Sequence, residues 1–344
     1  MIKTSLFAAD EREAKLDKLG GILQDISGMV DFAELLAQLD AAAPRPGRER
    51  GGRPPFPTEL MVRVLVLQKL YGLSDEQVEY QILDRKTFQR FVGLENSSQV
   101  PDRTTVWEFR ERLVRAGAET VLFDAVDREL NRHGYLARGG QMVDASLVPA
   151  PKQHFDKEEK RLVEQDAMPI EWTPAKRRQK DLEGTWTKKH GKSYFGYKLT
   201  VNADKRYKLI RKLKVSTASE HDTLHLEDVL DDGNTCRDLY ADKGYVDAER
   251  ESRLKKAGLR THIQRKAARG KPLSACQKRR NTRIARSRAR VEHVFASLKH
   301  LGGNGVRTVG LARATLQLNL KAAAYNIRRL CSLKACGIRP AFAC

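Results

Sequence analysis

The residues best placed to do chemistry lie in Asn281 to His300, NTRIARSRARVEHVFASLKH. The segment has helical periodicity and neither Pro nor Gly, and Ile284, Val291, Phe295 and Leu298 would share its apolar face. Beside that face Arg288, Glu292 and Lys299 recur at separations of four and seven residues, so all three point nearly the same way. Small Ala285, Ala289 and Ala296 flank this stripe and leave room for a bulky partner. Arg279, Arg280, Arg283, Arg286 and Arg290 surround one carboxylate. Glu292 is then either half of an ordinary surface pair with Arg288, worth ~0.2–0.5 kcal/mol, or a ligand for a divalent metal beside a phosphate backbone.

Two more acids favour the second reading. Asp144 interrupts the short apolar, β-leaning run GQMVDASLV, where Asp is disfavoured by propensity and a strand-end turn is the bland alternative. Asp242 ends another such run, DLYAD. Three carboxylates at one site repel unless Mg²⁺ or Mn²⁺ neutralises them. Oxygen ligands select those hard cations over zinc. Two such ions about 4 Å apart activate an attacking water or hydroxyl and stabilise the leaving oxygen in phosphodiester cleavage.

The elements that must position these acids read as α/β (α+β): a mixed-sheet domain preceded by an all-helical part. Residues 1–57 hold helical segments broken at Gly20-Gly21 and Gly28, followed by AAAPRPGRERGGRPPFP (Ala41 to Pro57), an extended basic linker. Residues 58–135 read as short helices with tight connections, resembling a helix-turn-helix bundle that binds DNA or simply packs. Thr58 would cap the first, carrying Leu60, Val64, Leu67 and Leu70; Ser74 with Gln77 caps the next, with Val78, Ile82 and Leu83 on its apolar face; Asp102 starts another. Residues 136–302 alternate strands and helices around a polar insert at about 150–190. They include strands at Tyr194 to Asn202 and Lys208 to Thr217, a turn at Ala203-Asp204-Lys205, and a helix at Thr223 to Leu230. Residues 303–344 hold a last amphipathic helix, to about Leu330, for packing or a dimer contact.

Composition narrows the partner. Lys and Arg number 64 against 44 acidic residues, for a net charge of +20 over 344 residues. That suits a polyanion, nucleic acid before membrane. No apolar run approaches the ~20 residues of a spanning helix, the N-terminus has too short an apolar stretch for a secretory signal, and five cysteines form no CxxC pair. The expectation is a cytoplasmic, nucleoid-associated protein with no disulfide framework or structural zinc. Lys243 beside Asp242 could reach DNA or be an ordinary surface lysine. Trp186 could stack on an unpaired base or pack in the insert; Trp107 and Trp172 lean towards packing. His293 reads as packing or surface hydrogen bonding, and His221-Asp222 as a turn and cap.

Together VDASLV, SYFGYKLT, YADKGYVD and RARVEHVFASLK resemble the motifs of DDE transposases of bacterial insertion sequences, nearest the insertion-sequence-five type. FPTELMVRVLVLQKLYGLSDEQVEYQILDRKTFQRFVGL and PDRTTVWEFRERL are similar to the helical part before such catalytic cores. Of the family's Tyr-x2-Arg-x3-Glu-x6-Lys signature the chain has Arg288, Glu292 and Lys299, with Ala285 at the Tyr position. The resemblance implies an RNase H-like catalytic domain in which Asp144, Asp242 and Glu292 hold two Mg²⁺ or Mn²⁺ ions. It implies DNA contacts from Arg286, Arg288, Arg290, Lys299 and Lys243. Water attack at terminal inverted repeats would free 3′-hydroxyls, which attack target DNA, with a homodimer acting on paired ends. A DNA-binding protein without catalysis, and a nuclease without strand transfer, are the other classes open at this point.

Overall fold

A computed structural model describes residues 5–45, 51, 54–165, 167–189, 191–267 and 270–341. The chain opens with α1 (Ala8–Leu19), α2 (Ile22–Met29), α3 (Phe32–Ala42), α4 (Thr58–Tyr71), α5 (Asp75–Asp84), α6 (Lys86–Val92), α7 (Arg103–Arg115) and α8 (Val121–Arg132). Their ends follow local chemistry. Ser74 and Gln77 form the expected capping box at α5, and Asp102 caps α7. Gly72 and Gly93 take the left-handed conformation that closes α4 and α6.

Some local expectations are corrected. Gly28 lies inside α2, and the break comes at Val30-Asp31, where Asp31 accepts the Glu34 N–H and caps α3. Thr58 is the first helical residue rather than the cap; its hydroxyl donates to Asp40 Oδ1 at 2.6 Å. Leu83 is exposed, so Val78 and Ile82 make the buried face of α5. The expected linker from Ala41 to Pro57 begins inside α3, and positions 46–50 and 52–53 lie outside the described residues. Helix α4 is buried on all sides through Met61, Val62, Val64, Leu65 and Val66, as a helix at the centre of a core must be.

The second half runs β1 (Gln141–Pro149), α9 (Lys157–Glu164), α10 (Pro174–Gln179), β2 (Thr185–Lys189), β3 (Lys192–Asp204), β4 (Ile210–Thr217), β5 (Asp238–Ala241), α11 (Ala248–Lys256), β6 (Arg260–Ile263), α12 (Ala275–His300) and α13 (Leu311–Ala335). One edge of β3 pairs antiparallel with β1 along its length, and the other is shared by β2 and then β4. Strand β1 pairs parallel with β5, and β5 parallel with β6. Antiparallel neighbours on one side and parallel ones on the other make the expected RNase H-like mixed sheet. The polar insert is therefore not all outside the sheet, because its last residues form β2. Strand β3 runs on to Asp204, whose carboxylate accepts the Tyr207 N–H, so the turn starts at Lys205, two residues later than expected. The expected helix at Thr223 to Leu230 is two short 3-10 turns, Asp222–His225 and Glu227–Val229.

Alternation along the strands sends side chains to two cores. Val143, Leu239, Ala241 and Ile263 join Leu226, Val229, Tyr245 and Leu254 in the smaller one. Met142 and Tyr240 face the larger one, which also holds Val291 and Leu298 of α12, the buried length of α13 and the interior of α2–α8. Helix α13 packs on α2, α4, α7, α8 and β4. It is stitched to β4 by Asn326, which accepts from the Ile210 N–H and donates to the Ile210 carbonyl at 2.9 and 2.8 Å.

Candidate active site

Strands β1 and β5 are parallel, with Gln141 opposite Leu239 and Met142 opposite Tyr240. The same 98-residue offset relates Asp144 to Asp242, so continuing the register sets the two carboxylates side by side. By period-two alternation they share the face of Met142 and Tyr240, against which α12 packs. The Asp144 side chain is 19% exposed and its Oδ2 accepts from Arg288 Nη1 at 2.7 Å. The other guanidinium nitrogen lies 3.4 Å from Glu292 Oε1. Arg288 thus bridges the β1 acid and the α12 acid. Asp242 accepts the Gly244 N–H at 2.7 Å and caps the 3-10 turn Lys243–Tyr245.

Burial pushes the Asp144 carboxyl above the usual carboxylate range; Arg288 opposes this, while Asp242 and Asp222 add to it. Tyr245 is buried in the smaller core, within reach of the acids' charges. Its ionisation is suppressed first by burial and then by the charges of Asp222, Asp144 and Asp242, and its hydroxyl has no partner among the described residues. Asp222 opens the 3-10 turn that packs on Lys243–Tyr245 and pairs with Lys198 Nζ of β3 at 2.7 Å. Asp222, Tyr245 and Lys198 are the neighbours that sequence reasoning missed. The available signals were weak: Tyr245 follows Asp242 by three residues, Lys198 lies within SYFGYKLT, and Asp222 read as part of a cap, a role its neighbour His221 does fill.

The Transposase DDE domain family matches residues 137–327, more than half of the chain, and the Transposase domain (DUF772) family matches residues 10–112. The chain belongs to the DDE transposases. The cryo-EM structure of a piggyBac transposase synaptic complex with hairpin DNA is similar at a TM-score of 0.47 and 12% identity, over 93% of this chain and 76% of that one.

The transposase exposes most of its remaining candidate residues. Arg286, Lys299 and Lys243 are exposed, and Arg290 is exposed while donating to the Lys205 carbonyl at 3.0 Å. On α12 the fully buried residues are Ile284, Val291, Val294 and Leu298; Phe295 is only partly covered. Trp186 is 45% exposed, its ring tilted against Phe195 at 5.4 Å between centroids. Trp172 is buried as expected, its indole N–H donating to Glu159 at 2.7 Å. Trp107, expected to pack, is 44% exposed. Among the described residues no three Asp, Glu, His or Cys side chains are gathered closely enough to hold one ion as they stand, and none of their helices is long and apolar enough to cross a membrane.

Proposed function

We propose that this transposase acts at the terminal inverted repeats of an insertion sequence of the insertion-sequence-five type, with Asp144, Asp242 and Glu292 as its catalytic acids. The observation that carries the reading is the β1–β5 register, which sets Asp144 beside Asp242, together with Arg288 linking Asp144 to Glu292. The donors are all carboxylate oxygens, fitting Mg²⁺ or Mn²⁺, and the charge of Asp242 already opposes ionisation of the covered Asp144, a repulsion that a cation would relieve. When bound, two such ions would activate the attacking oxygen and neutralise the leaving one.

The protein's own side chains do the rest. Asp144 stands within β1, and Asp242 directly follows β5, held by its cap on the turn Lys243–Tyr245. Glu292 is 63% exposed on its helix and free to swing inward once Arg288 turns to a phosphate. Arg286, Arg288, Arg290, Lys299 and Lys243 hold the DNA backbone by charge, and Trp186 offers a ring face to an unpaired base. Residues 58–135 serve as the helical DNA-binding part, 136–302 as the catalytic domain, and two copies act on paired ends.

Joining separates this reading from a nuclease. A pre-cut end with a 3′-hydroxyl, incubated with Mg²⁺ and plasmid, should give joined product that a 3′-dideoxy end and the Glu292→Gln variant do not. Equal joining by Glu292→Gln would remove Glu292 from the catalytic set; cleavage without joining would favour a nuclease.

A further inference from the structure

Away from the acids, a cavity of about 860 Å³ opens where α4, α5 and α7 meet the loop at 301–310 and the first turns of α13. Two amines line it with no carboxylate partner among the described residues. Half-buried Lys69 donates to the Gln317 side-chain carbonyl, and buried Lys321 to the Gly303 carbonyl. An ammonium sunk among neutral acceptors is costly until an anion joins it. Burial accordingly lowers Lys69 to about 7, helped by Arg110 and Lys321 and opposed by Asp75, and burial lowers Lys321 to about 8.

The acids of the cavity are already committed. Asp75 clamps Arg110 and Glu111 clamps Arg313, each through two bonds of 2.6 Å. Arg178 and Arg307 add two exposed cations to the lining, neither in an ion pair among the described residues. Thr308 brings a buried hydroxyl with no partner there, and Trp107 an exposed ring. Glycines hold the walls together: a Cβ on Gly72 would come within 3.0 Å of Gly302 Cα, and one on Gly305 within 2.5 Å of the Pro149 carbonyl. The second contact ties the cavity to the end of β1, the strand of Asp144.

We propose that this cavity is a phosphate site, filled in the working transposase by a backbone phosphate of the bound DNA. Lys69, Lys321, Arg178 and Arg307 supply the charge, Thr308 a hydroxyl donor, and Trp107 a surface for the adjoining sugar or base. The DNA assignment rests on the function proposed above; the phosphate site itself does not.

The test compares wild type with Lys69→Met/Lys321→Met and with Arg307→Gln. Pyrophosphate should raise the Tm of wild type, fail to raise that of the double variant, and act several-fold more weakly on Arg307→Gln, whose exposed position spares the fold. Without ligand the double variant should melt at or above wild type, since two covered amines whose charge meets only neutral acceptors are gone. In duplex binding, its slope of log K against log salt should fall by about 1–2. A response to pyrophosphate with an unchanged DNA slope keeps the site and assigns it to a free phosphate compound, overturning the DNA assignment. Equal responses of wild type and double variant to both probes would overturn the site altogether.

Discussion

Arg288 is the residue through which the acids communicate. Its guanidinium meets Asp144 at 2.7 Å and Glu292 at 3.4 Å, with Arg288 and Asp144 both mostly covered. Removing it leaves a covered carboxylate beside Asp242 without its cation. Arg288→Met should therefore cost about 2 kcal/mol in urea unfolding with chelator present, and millimolar Mg²⁺ should recover part of the loss. A loss within the few tenths of a kcal/mol typical of surface changes would contradict this. Lys69 supports a pH prediction of the opposite kind. Its folded value near 7 lies below its ordinary 10.5, so across that window the unfolded chain holds the extra proton and stability rises with pH. Wild type should gain on Lys69→Met between about pH 7 and 9, with the difference flat below about pH 6; a falling difference would overturn the assignment. The three candidate acids stand out in the sequence because each breaks a local rule: Asp in a strand, Asp at a strand tip, a lone Glu among arginines. Tyr245 does not, since an unpartnered hydroxyl is a tertiary fact, and neither does Lys69, which reads as one more helical lysine.

At the scale of elements, register is what converts distant residues into a pair. Asp144 and Asp242 are 98 residues apart, and the parallel pairing of β1 with β5 is what cancels that separation. Helix α13 steadies the other half of the sheet through Asn326, whose side chain satisfies both backbone groups of Ile210. Asn326→Leu would strand a buried N–H and C=O, and a loss of about 2–4 kcal/mol in denaturant unfolding is expected; a neutral outcome would mean that β4 does not depend on this contact. Capping chemistry made Ser74 and Asp102 legible, and short apolar, β-leaning runs marked most strands. Among the failures were Thr58 and Thr223 to Leu230. There tertiary partners decided the outcome: Asp40 draws off the Thr58 hydroxyl, and burial of Leu226 and Val229 beneath the sheet favours short 3-10 turns over a regular helix.

Over the whole molecule, the helical part and the sheet share one large core, with α13 running between them. The sequence reading of a helical part before a mixed sheet holds for the elements, but periodicity could not reveal that their apolar faces merge. One cooperative unfolding transition should follow, with far-UV circular dichroism and tryptophan fluorescence superimposing; two separated transitions would show that the parts are independently stable. A net charge of +20 is carried partly by the cations of α12, and should make DNA binding strongly salt-dependent. The central claim, however, is that Asp144 and Asp242 do the chemistry together. The most direct measurement is nicking of a labelled end-repeat duplex in Mg²⁺ by wild type, Asp144→Asn and Asp242→Asn, with binding followed in the same samples. The account requires metal-dependent nicking by wild type and at least about 10²-fold slower nicking by each variant at unchanged affinity. Nicking by either variant at the wild-type rate would contradict it.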